Sequence, residues 1–327
     1  MPGSPRRAIA TRLPIFAAPM FLVSGPELVI AACKAGIVGS FPSHNARTAV
    51  DLDQWMTGIV AALDQARIDR PGDIIAPWGV NLVTHSTNAR LPSDLELVAK
   101  HRPPVVVTAL GSPKPVMEVV HGYGGIVIAD VINMTLARKA VAAGVDGLAC
   151  VSAGAGGHTG FLSPFAFISA VRAIFDGIIA VGGGIGDGRA VAGAIAAGAD
   201  FVYMGTRFIP TEESMAVRGF KQMVVDSTID DLVISAGISG THASWLKPSL
   251  RAGGLDPDNL PATPDRAYDT TGSEKKRWKD LWAAGQAIDS SKAIEPVSVI
   301  VDQLEVEYKD ALRAMAARVT LTNQGTV

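Results

Sequence analysis

The chain has 327 residues, 48% of them hydrophobic, a formal net charge of −2 at pH 7 and a mean hydropathy of +0.27. That is too apolar for a disordered chain, and it suits one large domain or two ordinary ones. No basic block or Arg-rich arm stands out, so the composition gives no footing for a nucleic-acid partner.

Cys33 and Cys150 lie in apolar surroundings and read as buried, reduced thiols of a cytoplasmic protein. Arg6 and Arg7 are not followed by an apolar stretch, so no export signal is expected. Elsewhere charge or glycine breaks every apolar run well before the ~18 residues that a membrane span requires.

In chain order, strands are expected near residues 13–18, 37–40, 76–82, 105–108, 125–129, 147–151, 178–181 and 201–204. These runs are continuously apolar, as in strands buried on both faces of a parallel sheet. Helices are expected between them: 26–35 capped by Ser24, 49–66, 135–143 stopped by Gly144, and 188–197 stopped by Gly198. Eight such strands predict an α/β fold, a (β/α)8 TIM barrel. A doubly wound sheet would need a glycine fingerprint after its first strand, but Pro19, Met20, Phe21 and Leu22 stand there.

Composition changes after Pro210. Residues 211–291 carry polar helical stretches and a Pro/Asp/Gly-rich segment at 253–272, the makeup of a lid, binding loop or interface. The expected division is a barrel of residues 1–210 plus 292–327 and a smaller lid domain of residues 211–291 over its catalytic face. A helix over 293–319 would return to the barrel.

Residues 181–189 read Val-Gly-Gly-Gly-Ile-Gly-Asp-Gly-Arg, after one strand and at the head of a helix. Glycines let the backbone approach a ligand, and a helix N-terminus offers N–H groups and partial positive charge. The next strand ends in Gly205-Thr206, and paired loops after strands 7 and 8 are the usual phosphate site of such barrels. These residues alone admit FMN, a sugar phosphate, a nucleotide or plain tight turns. The sixth strand leads into Ser152-Ala-Gly-Ala-Gly-Gly-His-Thr-Gly160, whose titratable side chain is His158. It reads either as a base working near neutral pH or as a partner for a loop carbonyl. No Cys, Asp or Glu sits at zinc-ligand spacing, and His85, His101, His121 and His242 read as structural or surface residues.

On these residues the chain resembles the nitronate monooxygenases, formerly 2-nitropropane dioxygenases. It is also similar to their relatives, the flavin-dependent enoyl-thioester reductases and NADH:quinone reductases. The resemblance runs from about residue 13 to residue 286. Ala155-Gly-Gly-His-Thr-Gly160 and the stretches 182–189 and 205–208 carry most of it, with Pro19-Met20, Ala35-Gly36, Gly79-Val80-Asn81 and Trp282-Ala-Ala-Gly-Gln286 in support. It implies a barrel with non-covalent FMN under a lid, and His158 as the base that removes an acidic α-proton. By the same resemblance Ala18 and Met20 lie beside the isoalloxazine, Asn81 and Gly157 contact the flavin, and Gly183, Gly184, Gly205 and Thr206 hold its phosphate. Gly285 and Gln286 would approach the ring from the lid.

The chain departs from the family at Ala17, where Gln is usual, at Gly36-Ile37, where Gly-Gly is usual, and at Asp130, where some relatives carry a Lys close to the flavin. Asp130 reads equally as a flavin neighbour or as the N-cap of the next helix. The expected reaction is oxidation of a nitronate or nitroalkane by O2 to a carbonyl compound and nitrite. The alternatives are an NAD(P)H-dependent FMN reductase acting on an enoyl thioester or quinone, and a non-enzymatic binding protein. Lys275-Lys276-Arg277 would suit a nucleotide or CoA phosphate, or form a solvated helix face. Expected partners are a small-molecule substrate and O2 or a reducible organic acceptor, with no nucleic acid or membrane, and a homodimer is left open.

Overall fold

The computed structural model describes residues 9–261 and 278–324. The basic run 275–277, most of the Pro/Asp/Gly-rich segment and the arginines at 6 and 7 lie outside the described residues.

The first six strands are β1 (Ile15–Ala17), β2 (Val38–Pro42), β3 (Trp78–Val83), β4 (Val105–Ala109), β5 (Ile126–Val131) and β6 (Gly147–Val151). A two-residue strand β7 (Gly157–His158) precedes β8 (Ile178–Gly182) and β9 (Phe201–Met204). All of these except β7 pair in parallel, and β9 pairs back onto β1, so eight strands close into a barrel. Each expected strand appears, shifted by at most a few residues. The continuous apolar runs arise because one face fills the barrel and the other meets the helices.

Inside the barrel pack Phe16, Val38, Val105, Val107, Ile128, Ala149, Ile178, Ala180 and Phe201. Phe16 and Phe201 meet edge-on, with centroids 5.1 Å apart, an arrangement that favours aromatic pairs. The outer faces pack against α1 (Pro26–Lys34), α2 (Ala49–Asp69), α3 (Leu91–His101), α4 (Lys114–Gly122), α5 (Met134–Ala142), α6 (Pro164–Arg172) and α7 (Gly188–Ala196). Cys33 and Cys150 are free and buried in this layer, as the sequence implied.

Two capping expectations change. Gly25, not Ser24, is the N-cap of α1. The Ser24 hydroxyl instead accepts from the Met20 N–H (2.9 Å) and donates to the Ala18 carbonyl (3.3 Å). Asp130 does not cap α5 either: Asn133 does, accepting from the Leu136 N–H at 2.9 Å.

Beyond β9 come α8 (Arg218–Asp226), β10 (Leu232–Ser235), β11 (Ala243–Leu246) and α9 (Lys247–Ala252). β10, β11 and β7 form a three-stranded antiparallel sheet. The final helix, α10 (Val297–Gln324), starts after Pro296 and packs on α7 and α1, completing the helical ring. Gly188 sits at its crossing with α7, where a Cβ would lie 2.3 Å from the Leu304 carbonyl oxygen. Among the described residues, no helix is long and apolar enough to cross a membrane.

Candidate active site

Side chains alternate along a strand, so every second residue faces the barrel interior. At the carboxyl ends of the strands this face presents Asn81 on β3, Asp130 on β5 and Tyr203 on β9. Each is registered beside an interior residue: Val107, Ala149 and Phe16 respectively. The apolar core therefore gives way to a polar layer at the mouth. Asn81 is buried and donates to the Val107 carbonyl at 3.4 Å.

Ala18 follows β1, and its N–H donates to the Met204 carbonyl at 2.9 Å. The turn that carries Met20 includes Leu22 at φ +60°, a conformation costly for a residue with a Cβ. Asn45 supports it. Its Oδ1 accepts from the Leu22 N–H (2.8 Å), and its Nδ2 donates to the carbonyls of Met20 (2.9 Å) and Ser24 (2.7 Å). Sequence reasoning did not single out Asn45, whose three bonds exist only once the loops after β1 and β2 are adjacent. Across the mouth Met20 meets Gly205, where a Cβ would stand 3.4 Å from the Met20 Sδ.

His158 is not on a free loop. Gly157–His158 forms a strand beside β11, with Ala243 opposite His158 and Ser244 opposite Gly157. The next N–H, of Thr159, donates to the His242 carbonyl at 3.1 Å. The His158 ring stands edge-on to Trp278, with centroids 5.2 Å apart, and Trp278 leans on Trp245 at 4.6 Å. One side of His158 faces solvent, yet the surrounding protein withdraws water from the ring and lowers its pKa from the ordinary imidazole value. It is therefore neutral, and able to accept a proton, at neutral pH.

Four glycine-bearing segments meet next to this strand. Gly154 (φ +87°) turns its carbonyl to accept from both the Gly184 N–H (3.1 Å) and the Gln286 N–H (2.9 Å). A Cβ on Gly156 would lie 2.7 Å from the Gly285 nitrogen, and one on Gly285 would lie 2.6 Å from the Gly156 nitrogen. The Gly285 N–H donates to the Thr206 Oγ1 at 2.8 Å. The stretch 284–286 is thus locked onto the ends of β6, β8 and β9 by contacts that only glycine permits.

Gly183 and Gly184 adopt φ of +142° and +67° in the turn after β8. Two N–H groups of the helix N-terminus beside them already have side-chain acceptors, so the terminus is less free than expected from sequence. Asp187 accepts from the Ala190 N–H at 2.7 Å, and Glu307 of α10 accepts from the Gly188 N–H at 2.7 Å. The Gly184 N–H is spent on Gly154, and the Arg207 guanidinium turns away to Gln303 on α10 (2.7 Å). Among the described residues, the N–H groups of Gly183 and Gly205 donate no hydrogen bond. Two adjacent strand ends therefore offer amide donors in a cradle that side chains would fill, which fits a phosphate.

Asp130 Oδ1 and the Tyr203 hydroxyl are buried without a hydrogen-bond partner among the described residues. Burial pushes the Asp130 carboxyl up to about 7, a rise that the facing Tyr203 hydroxyl partly opposes. Tyr203 is itself raised well above the usual phenol range by burial and by Asp130. Other histidines have structural partners: His101 bonds Asp53 (2.5 Å) and His121 bonds Asp146 (2.8 Å). The described residues contain no cluster of side chains that could hold a metal ion.

The family model for nitronate monooxygenase matches residues 4–307. A nitronate monooxygenase of Paraburkholderia phytofirmans is 26% identical over 344 residues, covering 92% of this chain and 94% of that protein. A (3aS,4S,5R,7aS)-5-hydroxy-7a-methyl-1-oxo-octahydro-1H-indene-4-carboxyl-CoA dehydrogenase of Rhodococcus jostii is 27% identical over 242 residues. That match covers 74% of this chain and 65% of the length of that relative. The solved structure of a FabK point mutant from Thermotoga maritima superposes with a TM-score of 0.75 at 25% identity, covering 94% of this chain and 96% of that one. Barrel, site and matched length together place this chain in the nitronate monooxygenase family, as an oxidoreductase.

Proposed function

We propose that the protein is an FMN-dependent nitronate monooxygenase that oxidises small alkyl nitronates or nitroalkanes with O2. The observation that carries this reading is the meeting of a neutral, partly desolvated His158 with the glycine cradle at the ends of β8 and β9. When bound, FMN would accept electrons from the substrate and pass them to O2, leaving a carbonyl compound and nitrite.

The chain's own residues would do the rest. The amides of Gly183 and Gly205, with Gly184 and Thr206 shaping the cradle, would hold the phosphate. Ala18, Met20, Asn81 and Asp130 would line the ring's side of the mouth, and Gly157, Gly285 and Gln286 would close over it. A ring nitrogen of His158 would take the proton from the α-carbon of a nitroalkane. Desolvation suits this task, because it keeps the imidazole unprotonated and ready at neutral pH. Trp278, edge-on to His158, and Trp245 behind it would exclude water. Residues 211–291 would act as the lid, anchored through β11 to the His158 strand.

The likeness to the Rhodococcus carboxyl-CoA dehydrogenase supports a second reading, an FMN-dependent oxidoreductase acting on a CoA thioester. Nitrite assays on FMN-reconstituted protein with ethylnitronate and O2 separate the two. Stoichiometric nitrite is the expected result, and its absence at every pH would overturn the first reading.

A further inference from the structure

Asp130 is half-buried in the wall of the mouth, and its Oδ1 is buried without a partner among the described residues. A buried carboxyl with an unpartnered oxygen either keeps its proton or meets a donor. The neighbouring group is Tyr203, whose hydroxyl is likewise buried without a partner among the described residues. Gly182, on β8 between the two strands that carry them, has no side chain. A Cβ there would stand 2.8 Å from the Tyr203 carbonyl oxygen and 3.7 Å from its ring. The tyrosine ring lies along this gap, and its hydroxyl faces the Asp130 carboxyl from β9.

Among the described residues, a further titratable group near Asp130 is the Cys150 thiol on neighbouring β6, which burial pushes up to about 12 and so keeps neutral. Asn81, on β3, carries no charge. The influences acting on the Asp130 carboxyl are its burial and the Tyr203 hydroxyl, so it gains and loses its proton near neutrality. A group in that condition responds to any negative charge that appears beside it.

We propose that Asp130, faced by Tyr203 across Gly182, is the proton site of the pocket: it takes up one proton from solvent when the bound flavin gains negative charge on reduction. The proposal rests on the reading that FMN lies across this mouth. The electrons come from the substrate, or from a chemical reductant such as dithionite in the test. The proton goes to a carboxylate oxygen of Asp130, and no covalent bond to the flavin forms or breaks in that step. Tyr203 is a positioning residue: its unpartnered hydroxyl is free to donate to the carboxylate once Asp130 ionises, and so would set the pH at which the uptake begins.

The test is the midpoint potential of the FMN-loaded protein, measured by spectroelectrochemical titration from about pH 5 to about pH 9. Above about pH 7, the native protein should take up one more proton per two electrons than Asp130→Asn. Below it the two curves should run parallel. Tyr203→Phe should shift the point of divergence to higher pH. Curves that run parallel throughout would overturn the proposal, and an unchanged divergence in Tyr203→Phe would remove Tyr203 from it. If Asp130→Asn does not fold, carboxyl 13C shifts of Asp130 in flavin-free native protein decide. Titration near neutrality, moved up in Tyr203→Phe, supports the pair, and titration in the ordinary Asp range near ~4 overturns it. A native protein that binds no FMN would overturn the cofactor reading itself, which a spectrum shows before any titration.

Discussion

The Gly285 N–H donates to the Thr206 Oγ1 at 2.8 Å, tying the stretch before α10 to the end of β9. Glycine-on-glycine contacts with Gly154 and Gly156 leave that stretch one arrangement. The bond is buried, so removing its acceptor leaves an amide without water or protein to pair with. Thr206→Val, close in shape but lacking the hydroxyl, should lower stability by about 1–3 kcal/mol. It should also abolish protection of the Gly285 amide in hydrogen exchange. Thr206→Ser should retain both. Wild-type exchange at Gly285 in the valine variant would count against the tie.

His158→Ala should split the two substrates. A nitroalkane must lose its α-proton before oxidation, whereas a nitronate has lost it already. Nitrite production from nitroethane should fall by about 10²–10⁴-fold, the usual contribution of a positioned base. Ethylnitronate turnover should change by less than about tenfold by the same reasoning. Because burial lowers the His158 pKa, nitroethane activity in the native enzyme should persist to lower pH than the ordinary imidazole value near ~6.5 would allow. Equal losses on both substrates would mean that His158 holds substrate rather than moving a proton.

Asp130 should leave a mark on stability. Its folded pKa, about 7, lies above the unfolded value of ~4, so the folded state holds the proton more tightly. At acidic pH the carboxyl is protonated in both states, and no ionisation cost falls on the fold. As pH rises from ~4 to ~7 the unfolded chain releases the proton first, and stability declines by up to ~1.4 kcal/mol per pH unit. Above about 7 the loss levels off. Asp130→Asn should flatten that decline in urea unfolding followed across the same range. An unchanged slope in the variant would place the proton elsewhere.

Gly188 tests how the last helix is held. A Cβ there would lie 2.3 Å from the Leu304 carbonyl oxygen and 2.4 Å from the Tyr308 nitrogen, both backbone atoms that cannot swing aside. Gly188→Ala should destabilise the protein by about 1–3 kcal/mol, the usual cost of overpacking. Gly193, also on α7, faces open space, with nothing within 4 Å of where a Cβ would stand, so Gly193→Ala should be neutral or slightly stabilising. Thermal unfolding of the two variants makes the comparison.

The barrel was legible because its strands are buried on both faces, and runs such as those of β4 and β8 show that directly in their residues. α1 and α7 were bounded by Pro26 and by Gly198, signals that act locally. The sheet of β7, β10 and β11 was not legible. β7 is only Gly157 and His158, without a strand pattern, and its pairing depends on Ala243 and Ser244 more than eighty residues away. The same holds for the capped N-terminus of α7. Asp187 caps the helix from the adjacent position in the chain, but the contribution of Glu307 comes from a helix that returns from the far end of the chain. The facing of Asp130 and Tyr203 likewise requires barrel closure, because period-two alternation sets the direction of each side chain but not what it meets across the interior.

The most direct test of an FMN enzyme that takes its electrons from nitronates is an anaerobic one. FMN-reconstituted protein is mixed with ethylnitronate in one cell and with NADH or NADPH in another, and the flavin absorbance is followed. Rapid bleaching by ethylnitronate, with pyridine nucleotide slow or inert, is the predicted result. Bleaching by NADH or NADPH with none by ethylnitronate, or protein that acquires no yellow chromophore, would contradict it.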